Sequence, residues 1–244
     1  MLGFLVLLLA LALGPQVVLS KFLSITFSST EQCGPLNVTF SQGTMPSASP
    51  LSLTVVPFNS VPIFIPIPSS SWDDHTSTGA YITFLPLPAG ATFIASLDDG
   101  AGNSMGAISD VIRVQSSNNT SCLPATPSQP ADFFAIGGGI SQCEPFKLQW
   151  NSSVTSQPPT IRAFIPKGPS FHVQQLPGGG NGQASYVLNA SRGKEIAFLI
   201  DDGQGNKQDL DLFTIGGDTS SSTKCLLNNG THGKQRPTNR NLSK

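Results

Sequence analysis

Two hexapeptides, Asp98-Asp-Gly-Ala-Gly-Asn103 and Asp201-Asp-Gly-Gln-Gly-Asn206, gather carboxylates and an amide at a spacing that could offer oxygens to a calcium ion. The distant Glu of an EF-hand loop is missing. Asp-Gly and Gly-Asn are also the dipeptides that supply positive φ in hairpin turns, and the same turn occurring twice favours that plainer role. A third cluster, Ser71-Trp-Asp-Asp-His-Thr-Ser77, brings together Trp72, Asp73, Asp74 and His75. Ser, Asp and His this close in sequence do not make a triad, whose members come from distant segments and need an oriented base. No Gly-x-Ser-x-Gly occurs, and neither His172 nor His232 has a carboxylate nearby in the chain. The expectation is therefore a protein with no catalytic residue, metal or cofactor, and a secreted hydrolase is the weakest reading. Trp72 is either an exposed platform for stacking on sugar rings or a cover over one end of the fold.

The composition narrows the partners. Charged residues make up 11% of the 244, against about 25% in an ordinary soluble domain, and the net charge is −1. Such a chain lacks the basic surface that nucleic acid requires. A hydrophobic content of 39% suffices for a core, while Gly 24 and Pro 20 argue against long helices.

Residues 1–20 read as a signal peptide. Leu2–Leu13 is an almost unbroken apolar run, too short for the roughly 20 residues of a membrane span. Pro15 breaks it, and Val18 and Ser20 are small enough for a cleavage site after Ser20. No second hydrophobic segment follows, and the polar stretch 227–244 lacks the hydrophobic tail of a GPI signal and reads as disordered. The expected mature chain is exported and has no membrane span. Asn-x-Ser/Thr sequons at Asn37, Asn118, Asn119, Asn151, Asn189, Asn229 and Asn241 then mark candidate N-glycosylation sites.

The chain also repeats itself. Glu31–Phe40 matches Ser141–Trp150 at an offset of 110, and the two Asp-Asp-Gly-x-Gly-Asn turns match at 103, as do Ser121–Leu123 and Lys224–Leu226. The seven missing residues are assigned to the loop Ser69–Gly79, opposite Gly178–Gly182. Residues 21–123 and 131–226 are thus two copies, joined by a Pro- and Ser-rich linker, 124–130. About seven short strands are expected in each. In the first copy Leu36, Val38 and Phe40 alternate with Asn37 and Thr39; in the second, Phe146, Leu148 and Trp150 take the inward places. Further strands are expected near Ala107–Val114, Phe171–Gln175 and Leu210–Ile215, and the prolines of Val55–Pro57 and Pro62–Pro68 point to sheet edges. The fold class is all-β: two tandem antiparallel β-sandwiches of immunoglobulin-like type.

Four cysteines in a secreted chain allow three pairings. The duplication makes Cys33 equivalent to Cys143 and Cys122 to Cys225, which selects Cys33–Cys122 and Cys143–Cys225 over a linker staple from Cys122 to Cys143. Closing loops of about 80–90 residues stabilises each copy by roughly 4–5 kcal/mol in the chain-entropy view.

The Cys-x-Pro-x-x-[Val/Leu]-x-[Phe/Trp] opening (Cys33–Phe40, Cys143–Trp150), the turn Pro88–Gly90, the Asp-Asp-Gly-x-Gly-Asn turns and the Cys-Leu endings resemble secreted fungal proteins built from Ig-like domains, of the kind common in mushroom-forming fungi. The resemblance spans Ile25–Leu226. A more distant similarity is to the Ig-like domain of fungal proteins associated with cell-wall β-glucan assembly. It implies the sandwich fold and an extracellular or cell-wall location, and no catalytic residue. The expected function is binding or structural, with a cell-wall polysaccharide or an extracellular protein as partner. A secreted effector or adhesin is the alternative. Trp72, Asp73, Asp74 and His75 form the candidate binding loop.

Overall fold

A computed structural model describes residues 21–46, 48–124, 133–153 and 155–226. The first copy contains strands β1 (Ser24–Phe27), β2 (Pro35–Ser41), β3 (Leu51–Pro57), β4 (Ile63–Ile67), β5 (Trp72–Asp73), β6 (Thr78–Phe84), β7 (Thr92–Asp98) and β8 (Ile112–Arg113). The second contains β9 (Phe134–Gly137), β10 (Pro145–Trp150), β11 (Thr160–Phe164), β12 (Ser170–His172), β13 (Gln174–Gln175), β14 (Gln183–Val187), β15 (Glu195–Asp201), β16 (Lys207–Asp209) and β17 (Phe213–Thr214). All pairings between these strands are antiparallel. The fold is all-β, and each copy is a sandwich of two sheets.

In the first sandwich the sheets run β1-β2-β6-β5 and β4-β3-β7-β8; in the second, β13-β14-β10-β9 and β12-β11-β15-β16, with β17 also on β15. β2 shows why they stack. Leu36, Val38 and Phe40 are buried while Pro35, Asn37 and Thr39 face out, so one side of the strand must be covered. They meet Leu53, Val55, Phe93, Ala95 and Leu97 from the facing sheet. In the second copy Phe146, Leu148 and Trp150 meet Ile161, Ala163, Phe198 and Ile200.

Strands β3, β7, β11 and β15 are buried on both faces, and this joins the sandwiches. Val56 and Ile94 of the first copy pack with Phe164, Ala197 and Leu199 of the second, and Ile108 closes the cluster. The four sheets thus form a stack in which the two inner ones share a third core. At its rim, Arg162 of β11 donates to both carboxylate oxygens of Asp98 on β7, at 2.6 and 2.7 Å, with side chains only 9% and 1% exposed. Thr54 and Ser96 donate to the same carboxylate, and Ser170 accepts from the guanidinium. The ring of Phe164 lies 4.5 Å from the guanidinium carbon. A buried ion pair is tolerated only when its remaining polar atoms are satisfied in this way. Backbone bonds from Ile108 to Gly168 and from Lys167 to Ser109 continue the junction, and the Asp110–Lys167 pair (2.6 Å) lies on the surface beside it.

One group at this junction is left without a donor. The backbone N–H of Asp209 reaches the Ser60 carbonyl across the junction, but neither carboxylate oxygen has a hydrogen-bond partner among the described residues. Burial pushes its pKa well above the ordinary carboxylate range.

Several boundaries differ from the sequence expectation. The strand expected over 107–114 is only Ile112–Arg113, because the preceding residues leave the sheet to dock on the second copy. The strand expected over 210–215 shrinks to Phe213–Thr214. The stretch 171–175 is two strands that join different sheets on either side of Val173. Pro66 lies on edge strand β4, as its missing N–H requires, whereas Pro57 ends the inner strand β3.

Register also relocates the seven-residue difference between the copies. Asn37 stands where Lys147 does (offset 110), Thr54 where Arg162 does (108) and Ile82 where Ser185 does (103). Two residues are therefore lost between β2 and β3, and five between β3 and β6. The signal peptide with Ser20, nearly all of the linker, and the tail with Asn229 and Asn241 lie outside the described residues.

Candidate functional site

Five of the first copy's seven extra residues fall in the stretch that builds an edge hairpin. After β4 the chain makes one 3-10 turn, Ser69–Ser71, and adds β5 to the edge of β6 through Trp72↔Gly79 and Asp73↔Thr78. Gly79 is required here: a Cβ at this position would sit 2.2 Å from the ring of Phe40. That ring instead stacks on the Trp72 indole, with centroids 5.8 Å apart and planes 7° apart, and Phe22 closes on both rings. Trp72 is thus partly buried and covers one end of the first core while part of its indole reaches solvent.

The hairpin tip is tied by its own side chains. Asp74 accepts from the indole N–H at 2.6 Å. Asp73 accepts from the backbone N–H of His75 and from the Thr76 hydroxyl, both at 2.9 Å, and these donors hold its carboxyl below the usual range. Beside the hairpin lies an open depression of about 550 Å³, lined by Trp72 and Asp73 with Thr39, Ser41, Ser70 and Ser71. Of the four residues of the candidate loop, two line the depression; Asp74 orients the indole and His75 contributes its backbone. The solvent-reaching part of the indole can pack against a polyhydroxylated ring, and the hydroxyls and carboxylate beside it can hydrogen-bond that ring's hydroxyl groups.

The two Asp-Asp-Gly-x-Gly-Asn motifs are self-contained turns. Asp99 accepts from the N–H groups of Ala101 and Asn103 at 2.9 and 2.8 Å, and Asp202 from those of Gln204 and Asn206 at 2.8 and 3.1 Å. Gly102, Gly203 and Gly205 take the positive φ values. At Asp202 burial pushes the pKa upward, but the Asn206 side chain and the backbone donors outweigh it and lower it. The preceding aspartates diverge: Asp201 pairs with Lys207 of its own hairpin at 2.7 Å, whereas Asp98 crosses to Arg162. Among the described residues no three His, Cys, Asp or Glu side chains gather as a metal site.

The bridges join Cys33 to Cys122 and Cys143 to Cys225, with Cα atoms 5.3 and 5.4 Å apart. Both leading cysteines have positive φ, 55° and 57°. The sequence reading passed over the glutamine before each. Gln32 is buried, accepts from the Ala89 N–H, and donates to the Asn119 carbonyl. Gln142 does the same with Arg192 and Ser222. Each amide clamps two loops to its bridge, and the signal was present in the matched Gln-Cys pairs. Asn37, Asn118, Asn119 and Asn151 are exposed, and Asn189 is half-buried.

No protein-family description matches the chain, and no curated protein does. Among solved structures, purple acid phosphatase PPD1 from yellow lupin (Lupinus luteus) is matched at 14% identity over 73% of this chain and 37% of that one, with a TM-score of 0.23. The chain spans little more than a third of that protein, and at this similarity the match carries no argument about fold or activity. Among the described residues no helix is long and apolar enough to cross a membrane.

Proposed function

We propose that this chain is an exported, non-enzymatic protein of the fungal cell wall or extracellular matrix, and that it binds wall polysaccharide through the Trp72 depression. The observation that carries this reading is the hairpin itself. It lies in the stretch that holds five of the first copy's seven extra residues, it pairs at the opposite end of its neighbour from the second copy's edge strand β13, and it sets an indole, five hydroxyls and a carboxylate around one depression. The two bridges suit an oxidising compartment. The fungal and cell-wall setting rests on the sequence resemblance.

The test is a pull-down on insoluble β-glucan and on chitin. The wild-type chain is retained, and Ser70→Arg, which fills the depression without touching the core, is not. Absence of retention on both polymers, or equal retention of the variant, overturns the proposal.

A further inference from the structure

The outer face of the sheet β1-β2-β6-β5 exposes two large hydrophobic side chains on one strand. Ile82 and Phe84 of β6 are 61% and 59% exposed, two of the most exposed large hydrophobics among the described residues. They stand two apart on one strand and so project from the same side of the sheet. β5 covers the edge of β6 only at Thr78 and Gly79, and does not reach them.

The residue directly across the strand pair from Ile82 is Asn37, the asparagine of the sequon Asn37-Val-Thr39. Directly opposed residues have Cβ atoms about 5 Å apart, and the diagonal neighbour, here Phe84, lies within about 7–8 Å. Asn37 is exposed and points out of the same face.

The second copy serves as an internal control. Its register places Lys147 where Asn37 stands, Ser185 where Ile82 stands and Val187 where Phe84 stands. Ser185 and Val187 are only half-exposed, and β13 pairs alongside Val187. The copy that exposes Ile and Phe carries the sequon; the copy with Ser and a half-exposed Val there carries a lysine.

We infer that Asn37 bears an N-linked glycan whose role is to lie over Ile82 and Phe84 and keep this face from associating. This rests on the export reading, because only a chain in the secretory pathway meets the glycosylating machinery. A glycan is bulky, hydrophilic and surface-bound, and it would be tethered directly beside the patch it covers.

The experiment uses the full chain secreted from a eukaryotic host. Glycopeptide mass spectrometry is expected to find Asn37 occupied in the bulk of the protein. Asn37→Gln, and separately enzymatic trimming of the folded wild-type glycoprotein, are expected to shift the monomer to larger species and to raise the fluorescence of a hydrophobic dye. Installing the second copy's residues, Ile82→Ser with Phe84→Val, in the Asn37→Gln chain should restore the monomer. A bare Asn37 beside another occupied sequon overturns the shield and leaves export standing. No occupied sequon on a chain that still begins at Met1 overturns both. An occupied Asn37 whose removal leaves mass and dye binding unchanged, or exposes a surface that captures a partner protein from the medium while the chain stays monomeric, also overturns the shield.

Discussion

Replacing Arg162 by Met tests how the two sandwiches are held together. The substitution keeps much of the aliphatic packing on Phe164 but removes the guanidinium. Asp98, 1% exposed, then loses its two charge-assisted bonds of 2.6 and 2.7 Å and retains only the hydroxyls of Thr54 and Ser96. Removing one partner of a buried pair costs about 3–5 kcal/mol, because the other charge stays buried and uncompensated. For a chain of this size each kcal/mol moves the melting temperature by about 2–4 °C, so a fall of roughly 6–20 °C is expected. Replacing both partners, Arg162→Met with Asp98→Asn, removes the uncompensated charge and should recover a large part of the loss, showing as coupling in a double-mutant cycle. Urea unfolding followed by far-UV circular dichroism reads both of these variants and the single Asp98→Asn that completes the cycle. A loss below about 1 kcal/mol for Arg162→Met, the worth of an exposed ion pair, would refute the account of a dry junction.

Three further outcomes follow from the same structure. Burial raises the pKa of Asp209 above its unfolded value, so the folded state holds that proton more tightly; the residue's contribution is most favourable in acid and is lost as pH climbs above about 4. Asp209→Asn should therefore gain about 1–3 kcal/mol at pH 7 and little at pH 4, and an unchanged pH dependence of urea stability would contradict it. Gln142→Ala removes the acceptor of the Arg192 N–H and the donor to Ser222; it should cost about 1–3 kcal/mol and speed hydrogen exchange in those two loops, and protection equal to wild type would dismiss the clamp. Residues 21–124 expressed alone would expose Val56 and Ile94, so the isolated copy should self-associate or bind a hydrophobic dye where the whole chain does not; a clean monomer without dye binding would show that the shared core is dispensable.

Much of each sandwich was readable because its cause is local. Alternation along β2 and β10 marks which side is covered, and turns that need positive φ can use only a few residue types. The equivalence of the cysteines needed no coordinates, since duplication preserves it. The hairpin around Trp72 was legible as an insertion, but its size was not: part of the length difference lies between β2 and β3, which only the strand register reveals.

The stack of four sheets was decided by tertiary structure. A continuous apolar run such as Phe93–Leu97 states that both faces of a strand are covered, and it says nothing about whether the second cover is the same copy or the other one. The same limit hid Asp98. In sequence it opens a turn motif shared with Asp201; in space its partner lies 64 residues away on the facing sheet, and the choice between solvent, a neighbouring lysine and a buried arginine depends on which surface the docking removes from water.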